Sequence, residues 1–102
     1  MIVTWSPLAI ERVAEIADWI ANDRPRAAED LVTGIFLAVT RLTDFPHSGR
    51  EVPEFERPDL REIVYRKYRI VYRVVGDRVE ILTVRHSLQE LAEEDLGENP
   101  VV

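Results

Sequence analysis

Apolar residues in the first half of the chain recur at steps of three and four, the spacing of one face of an α-helix. Ser6 followed by Pro7 supplies a hydroxyl N-cap and a proline in the first turn. Asn22-Asp23-Arg24-Pro25 then breaks the pattern and starts a second helix with Pro25 in its first turn. Phe45-Pro46 then stops the pattern. The two apolar stripes comprise Ile10, Val13, Ala17 and Ile20, and then Ala28, Leu31, Val32, Ile35, Val39 and Leu42. The pattern predicts a helical hairpin that ends near Asp44, after a β-prone run from Ile2 to Trp5.

The second half of the chain has the composition of strands instead. Three runs rich in Ile, Val and Tyr or partly alternating span 60–66, 68–75 and 78–85. Gly76-Asp77 between the last two fits a two-residue type II′ hairpin with glycine first. The preceding segment, 47–58, has no usable period and predicts a loop. We therefore expect the last two runs to pair as an antiparallel hairpin.

The end of the chain carries a helix signal. Ser87 and Glu90 have the spacing of a capping box, and Gly97 is placed to close a short helix that reaches about Leu96. The predicted fold class is α+β: an N-terminal strand, a helical hairpin, then a three-stranded antiparallel sheet (β-α-α-β-β-β) with a short C-terminal helix. One domain spans 1–102, in which 87–102 form an acidic C-terminal helix and tail.

Composition removes several functional classes. The chain has 102 residues, of which 46% are apolar, enough for one core. It lacks cysteine and has only His47 and His86 as imidazoles, so neither thiol chemistry nor a metal site is expected, and no cofactor is implied. No apolar stretch is long enough for a membrane span, and the N-terminus does not resemble a secretory signal. We expect a cytoplasmic protein without a membrane partner.

The net charge of −6 conceals an uneven distribution. From Leu60 to Arg85 there are seven basic residues against three acidic ones, a net charge of +4. From Ser87 to the end there are five acidic residues and no basic one. The basic stretch is open to two interpretations, an ordinary solvated face of the strands or a binding surface for an anionic partner. The acidic tail is likewise either a solvated terminus or a segment that lies over the basic strands and competes with their target.

Four segments resemble a known family in order and spacing. They are "SPLAIERVAEIADWI", "FPHSGREVPEF", "LREIVYRKYRIVYRV" and "VEILTVRHS". They resemble the first helix, the loop after the second helix, the central hairpin and the last strand of the RelE/ParE toxin superfamily of type II toxin–antitoxin systems. The resemblance extends to about Gln89. It implies a growth-inhibiting toxin, formed by a single RelE/ParE-like domain and neutralised by an antitoxin.

The superfamily, as the resemblance implies, contains two kinds of toxin. One kind cuts messenger RNA on the ribosome, and the other inhibits DNA gyrase without an established nuclease centre. Cleavage requires an acid, a base and cations near the phosphate. Arg61, Arg69 and Arg85 align with the phosphate-binding arginines of cleaving relatives. Those relatives often end the last strand with Arg-Tyr-His-Tyr, whereas this chain reads Arg85-His86-Ser87-Leu88, which leaves His86 as the substitute for the acid or base.

We therefore favour a ParE-like gyrase inhibitor with no confident catalytic residue and no metal. The alternatives are a RelE-like, ribosome-dependent mRNA interferase that uses Arg61, Arg69, Arg85 and His86, and an inactive relative that only binds an antitoxin. The implied partners are a cognate antitoxin and gyrase, or the ribosome in the alternative, with operator DNA bound only through the antitoxin. The residues expected to contact the antitoxin or the target are Arg61, Arg66, Arg69, Arg73, Arg85 and Tyr72. Large apolar side chains of the helical hairpin are expected to line the antitoxin groove. Trp5 and Trp19 are expected to pack in the core or between helices, because neither lies among the basic residues of the sequence.

Overall fold

A computed structural model describes residues 1–97. Its elements are β1 (Ile2–Trp5), α1 (Pro7–Ala21), α2 (Pro25–Thr40), β2 (Arg50–Glu51), β3 (Leu60–Tyr65), β4 (Tyr68–Val75) and β5 (Arg78–His86), with 3-10 turns at Arg41–Thr43 and Glu93–Leu96. The α+β class and the order of the helices and long strands are as predicted. The helices begin where their proline signals place them, and the Ser6 hydroxyl accepts a hydrogen bond from the Ala9 amide at 3.0 Å.

The sheet has five strands, in the order β1-β5-β4-β3-β2, which corrects the three-stranded prediction. The first strand pairs with β5 in parallel, from Ile2 opposite Arg78 to Trp5 opposite Ile81. The other additional strand is only two residues long and lies within the predicted loop, where Arg50 pairs with Glu62. The strand Ile2–Trp5 lies where the sequence predicted one, but its pairing with β5 and the short β2 depend on strand pairing that local periodicity does not show. The long strands form an antiparallel meander as expected.

Two-residue turns join the long strands. At the second turn Val75 pairs with Arg78 and Gly76 has a φ of 57°, which agrees with glycine in the first position of the predicted hairpin turn. At the first turn Tyr65 pairs with Tyr68, and Arg66 has a φ of 54°. Arg66 is the one non-glycine residue of 1–97 with a positive φ, a conformation that side chains with a Cβ rarely adopt.

Each face of the sheet carries its own apolar core. The helices cover one face, where Ile35 of α2 packs in a cluster with Ile70 and Ile81 of the sheet. The opposite face is covered by the loop before β3 and by the C-terminal segment, whose Val52, Leu91 and Leu96 pack against Leu60, Val71 and Leu82. Since both faces are buried, a polar strand residue must find a partner within the protein.

The C-terminal segment does not form the helix predicted from Ser87. The Leu88 amide instead donates to Nδ1 of His86 at 3.1 Å, and the Leu91 amide donates to Glu54 at 2.9 Å. The second bond excludes a regular helix from Ser87, because it uses the Leu91 amide that would otherwise donate to the Ser87 carbonyl. A single 3-10 turn follows, and Gly97 closes it with a φ of 67°. The remainder of the predicted acidic tail, 98–102, lies outside the described residues.

No helix within residues 1–97 has the length and apolar character needed to cross a membrane.

Candidate functional site

Arg69 lies on the sheet face opposite the helices and is fully engaged by carboxylates. Its Nη1 and Nη2 donate to the two oxygens of Glu54 at 2.7 and 2.6 Å, and its Nε and Nη2 donate to Oε1 of Glu62 at 2.8 and 2.6 Å. Nη1 also donates to the Gln89 carbonyl at 3.1 Å. The Arg69 side chain is 6% exposed and that of Glu62 is wholly buried. A phosphate could therefore reach this guanidinium only by breaking these ion pairs.

The ion pairs of Arg69 also change the acidity of its main partner. Hydrogen bonding from Arg69 lowers the pKa of Glu54 from 4.5 to about 2, and burial opposes this effect. The pKa of Arg69 is raised, chiefly by the hydrogen bonds to Glu54. Both groups are thus held in their charged forms. The arrangement stabilises a charged cluster within the fold and supplies neither a proton donor nor an acceptor near neutral pH.

Arg85 is the direct cross-strand partner of Arg69 and is held by a different carboxylate. Its Nε donates to Oδ1 of Asp95 at 3.0 Å, and Nη2 of Arg12 lies 3.4 Å from the same oxygen. The Asp95 side chain is completely buried, and its second oxygen accepts the Ala92 amide at 2.8 Å. The acidic C-terminal segment therefore lies over the basic strands. Of the two interpretations of the sequence, this placement agrees with a segment that covers the strands and not with a solvated terminus.

The other arginines of this face are also paired. Arg73 and Arg78 both lie within salt-bridge distance of Glu80, at 3.2 and 2.9 Å, and Arg50 lies 2.6 Å from Glu62. These pairs follow from the register, because Arg73 is directly opposite Glu80 across the β4–β5 ladder. Every basic strand residue of this face, Arg69, Arg73, Arg78 and Arg85, is thus paired with a carboxylate, and two of those carboxylates, Glu54 and Asp95, come from outside the strands.

Arg61 lies on the other face of the sheet, because its cross-strand partner is Tyr72 of the helix-side core. Its Nη1 donates to the Gly49 carbonyl at 3.0 Å, while the Gly49 amide donates to the Tyr72 hydroxyl at 2.9 Å. Burial raises the pKa of Tyr72. The structure thus brings Arg69 and Arg85 together but separates Arg61 from them. The fully buried Tyr72 side chain does not reach the surface where a partner would bind.

His86 faces the helices, away from Arg85. Its ring makes an edge contact with Tyr68, with 5.7 Å between the ring centroids, and its Nδ1 accepts the Leu88 amide. Strand alternation produces this separation, since neighbouring residues point to opposite faces. Arg85 and His86 still border one cleft of about 320 Å³. Arg61 and Arg69 do not line that cleft, so the four residues considered for RNA cleavage do not converge on one point. In the part of the chain that the structure describes, no group of three or more His, Asp or Glu residues could hold a metal ion.

Trp19 corrects the prediction that it packs in the core or between helices. Its side chain is 78% exposed, and it lines a cleft of about 460 Å³ that we call the Trp19 cleft. The residues that define this cleft are Trp19, Arg24, Leu31, Arg66, Lys67 and Tyr68. Sequence spacing contained the signal, because Trp19 follows Arg12 by seven positions and Glu15 by four and so shares their polar helix face. The prediction rested on the distance of Trp19 from the basic residues along the sequence, whereas the fold brings Arg24, Arg66 and Lys67 beside it.

A second groove lies between the two helices. Small side chains line much of it, including Ala17, Ala21 and Ala28, and its volume is about 430 Å³. Pro25 and Val32 extend the apolar lining, while acidic and hydroxyl groups stand at its edges. The lining is made of small residues, whereas the sequence led us to expect large ones. Small residues allow a partner segment to approach the helix backbones closely.

Comparison with known proteins gives a consistent result. A family model described as "ParE toxin of type II toxin-antitoxin system, parDE" matches residues 3–91. The protein named "Putative toxin Y4kP" of Sinorhizobium fredii is 39% identical over 90 residues, which cover 86% of this chain and 90% of the relative. The solved structure "Chromosomal ParDE TA system from P. aeruginosa" contains a chain with a TM-score of 0.73 and 24% identity, and the match covers 84% of this chain and 95% of that one. The structural match shows a shared fold.

Proposed function

This chain belongs to the ParE toxin family of type II toxin–antitoxin systems, and from that membership we propose that it arrests bacterial growth by inhibiting DNA gyrase in the cytoplasm. In this proposal the protein acts by binding and performs no chemistry of its own. A cognate antitoxin neutralises it, and operator DNA is bound only through that antitoxin.

One observation supports binding over RNA cleavage: Arg69, the central candidate for a phosphate, is buried between Glu54 and Glu62. Cleavage requires a cation that is free to stabilise charge on the phosphate as it develops. Two carboxylates at 2.6 Å neutralise this guanidinium, and a polyanion approaching them would be repelled. The acidic segment over the same face adds to that repulsion.

The groove between the helices is our candidate for the antitoxin contact. Its apolar lining of about 430 Å³ suits an amphipathic helix, whose own apolar side chains would fill it. The P. aeruginosa structure is titled as a ParDE toxin–antitoxin system, which supports a partner of this kind. Arg66 is the most available of the basic residues expected to contact the antitoxin or the target, because it is exposed and forms no salt bridge within residues 1–97.

The test is controlled expression in a bacterial host, with plasmid topology and messenger integrity followed in the same culture. We expect growth arrest, loss of negative supercoiling and intact messenger RNA, all reversed by the co-expressed antitoxin. Codon-positioned cuts in ribosome-bound messenger would establish the interferase alternative instead. Full growth at high expression, together with antitoxin binding by the same protein, would identify an inactive relative.

A further inference from the structure

We infer that the Trp19 cleft is the surface that contacts the target, and that it takes an acidic peptide segment carrying an apolar side chain. This inference rests on the proposed function, since it assigns the part of the toxin that reaches the inhibited enzyme. The cleft lies where the loop between the helices meets the turn between β3 and β4, at the end of the sheet.

The charge of the cleft distinguishes it from the rest of the protein. Arg24, Arg66 and Lys67 form no salt bridge within residues 1–97, and no carboxylate lines the cleft. The arginines of the covered sheet face, by contrast, are paired with Glu54, Glu62, Glu80 or Asp95. In a chain with a net charge of −6, three unpaired cations on one cleft form a local positive field. Such a field attracts a carboxylate-rich partner.

The lining also has the features of a protein-binding surface. The indole of Trp19 is 78% exposed beside the half-buried ring of Tyr68, and Leu31 forms part of the apolar lining. Trp, Tyr and Arg are the residue types that contribute most to binding at protein interfaces. An exposed tryptophan on a folded surface leaves a large apolar area in water until a partner covers it.

The turn that carries two of the cations is held in an unusual conformation. Arg66 has a φ of 54° although it is not glycine, and its guanidinium lies 5.3 Å from the centroid of the Tyr65 ring. Such a backbone costs free energy and is retained where the surroundings fix it, often at binding sites. The turn thus presents Arg66 and Lys67 at the rim of the cleft, with the backbone of Arg66 fixed by the turn and its guanidinium over the Tyr65 ring. Less entropy is then lost when a partner binds.

An acidic peptide fits the cleft better than nucleic acid. Strong binding to DNA or RNA comes from several cations that follow successive phosphates. Here three cations surround an apolar lining. The adjoining cleft of about 320 Å³, which shares Trp19, Tyr68 and His86, is lined by Glu15 and by two arginines, Arg12 and Arg85, that Asp95 already holds. The Glu15 carboxylate would oppose a phosphate backbone continuing along α1. A short acidic segment would pair its carboxylates with the cations at the rim and pack its apolar side chain against the lining of the cleft.

The experiment measures the affinity of purified DNA gyrase for two variants, Trp19→Ala and the double charge reversal of Arg66 and Lys67 to Glu. Matched controls are Leu37→Ala and Arg41→Glu, which change an exposed apolar residue and an exposed arginine outside the cleft. We expect Trp19→Ala to weaken binding by about 30-fold, the effect of losing one dominant interface residue. The charge reversal should abolish binding, and the controls should bind like the wild type. Because the changed residues are exposed, thermal unfolding should be unaltered.

Fluorescence distinguishes contact from an indirect effect. In a Trp5→Phe background Trp19 is the remaining tryptophan, and its emission should shift to shorter wavelength when gyrase is added. An emission shift with a duplex oligonucleotide alone, and none with gyrase, would overturn the inference in favour of a nucleic-acid surface. Unchanged gyrase affinity in Trp19→Ala would also overturn it.

If the wild type does not bind gyrase, the proposed function fails, and growth arrest then tests the cleft separately. Loss of arrest in Trp19→Ala, with antitoxin binding retained, would support the cleft as the surface for another target. Undiminished arrest would overturn it.

Discussion

Arg69 of β4 and Arg85 of β5 are direct cross-strand partners, and their two positive charges are tolerated because each side chain donates to its own carboxylate. Like charges in direct opposition destabilise a sheet unless they are compensated. Glu54 and Glu62 compensate the first arginine, and Asp95 from the C-terminal segment compensates the second. Through these ion pairs the two arginines connect β4 and β5 to the loop before β3 and to the C-terminal segment.

Replacing Arg69 by alanine should destabilise the fold by about 3–5 kcal/mol, because it leaves Glu54 without its cation and the buried Glu62 with only the largely exposed Arg50 as a partner. Urea unfolding followed by circular dichroism measures this loss. The control is Arg78→Ala, which removes an arginine from the same sheet face. Its side chain is 48% exposed, so we expect a loss of less than about 1 kcal/mol. Wild-type stability in Arg69→Ala would show that the cluster does not support the fold.

Acid should weaken the fold through Glu54. Its pKa in the folded protein is about 2, below the ordinary value of 4.5, so the charged form stabilises the folded state. That contribution is fully present above pH 4.5 and disappears as the pH falls to about 2, with an upper magnitude of about 3 kcal/mol.

The variant Glu54→Gln isolates this effect. Its free energy of unfolding should be lower than that of the wild type at pH 6 to 7, and the difference between the two should shrink as the pH is lowered through this window. Denaturant titrations at several pH values supply the comparison. Asp59 and Glu80, whose pKa values are also lowered by neighbouring arginines, are present in both proteins and cancel in the difference. A constant difference across the window would show that Glu54 is not the titrating group.

Sequence signals that act over a few residues correctly predicted the starts of both helices and one hairpin turn. The Ser6-Pro7 start, the second helix from Pro25 and the turn at Gly76 all appear where the sequence places them. The prediction was wrong where distant partners decide the structure. The parallel pairing of β1 with β5 and the two-residue β2 depend on residues far away in the chain. The capping box at Ser87 was overridden by hydrogen bonds to Glu54 and His86.

The candidate site was less predictable than the fold. Counting charges along the strands suggested a basic surface, but whether an arginine is free depends on cross-strand register and on which segment covers the sheet. Neither is visible in the sequence. Trp19 was predicted to pack in the core or between helices because no basic residue is near it in the sequence, yet it is exposed beside Arg24, Arg66 and Lys67. Tertiary packing brings these residues together, and helix spacing, which places Trp19 on the polar face with Glu15, was the available signal.

Asp95 should anchor the C-terminal segment to the sheet. Replacing it by alanine removes the partner of Arg85 and Arg12 and the acceptor of the Ala92 amide, so we expect the segment to open more often. Hydrogen exchange of residues 87–97 measures this opening. The matched control is Glu94→Ala, an exposed acid in the same turn, which should exchange like the wild type. Equal protection in both variants would mean that Leu91 and Leu96 alone hold the segment.

Antitoxin binding should depend on the groove between the helices. Ala21→Glu places a larger, charged side chain in this apolar groove, so we expect the antitoxin to bind at least tenfold more weakly, a loss of about 1.4 kcal/mol. The control Ala14→Glu makes the same change on an exposed position of α1 outside the groove. Calorimetric titration and the rise in thermal stability on complex formation both report the affinity. Equal affinities would place the antitoxin elsewhere.

Inhibition of gyrase by binding can be measured in the ATP-dependent supercoiling of relaxed plasmid by purified gyrase as the toxin concentration is raised. We expect supercoiled product to decrease or broken DNA to accumulate, equimolar antitoxin to restore the reaction, and Arg41→Glu to inhibit like the wild type. Unimpeded supercoiling in the presence of excess toxin, from a preparation that still binds its antitoxin, would contradict inhibition of gyrase by this protein.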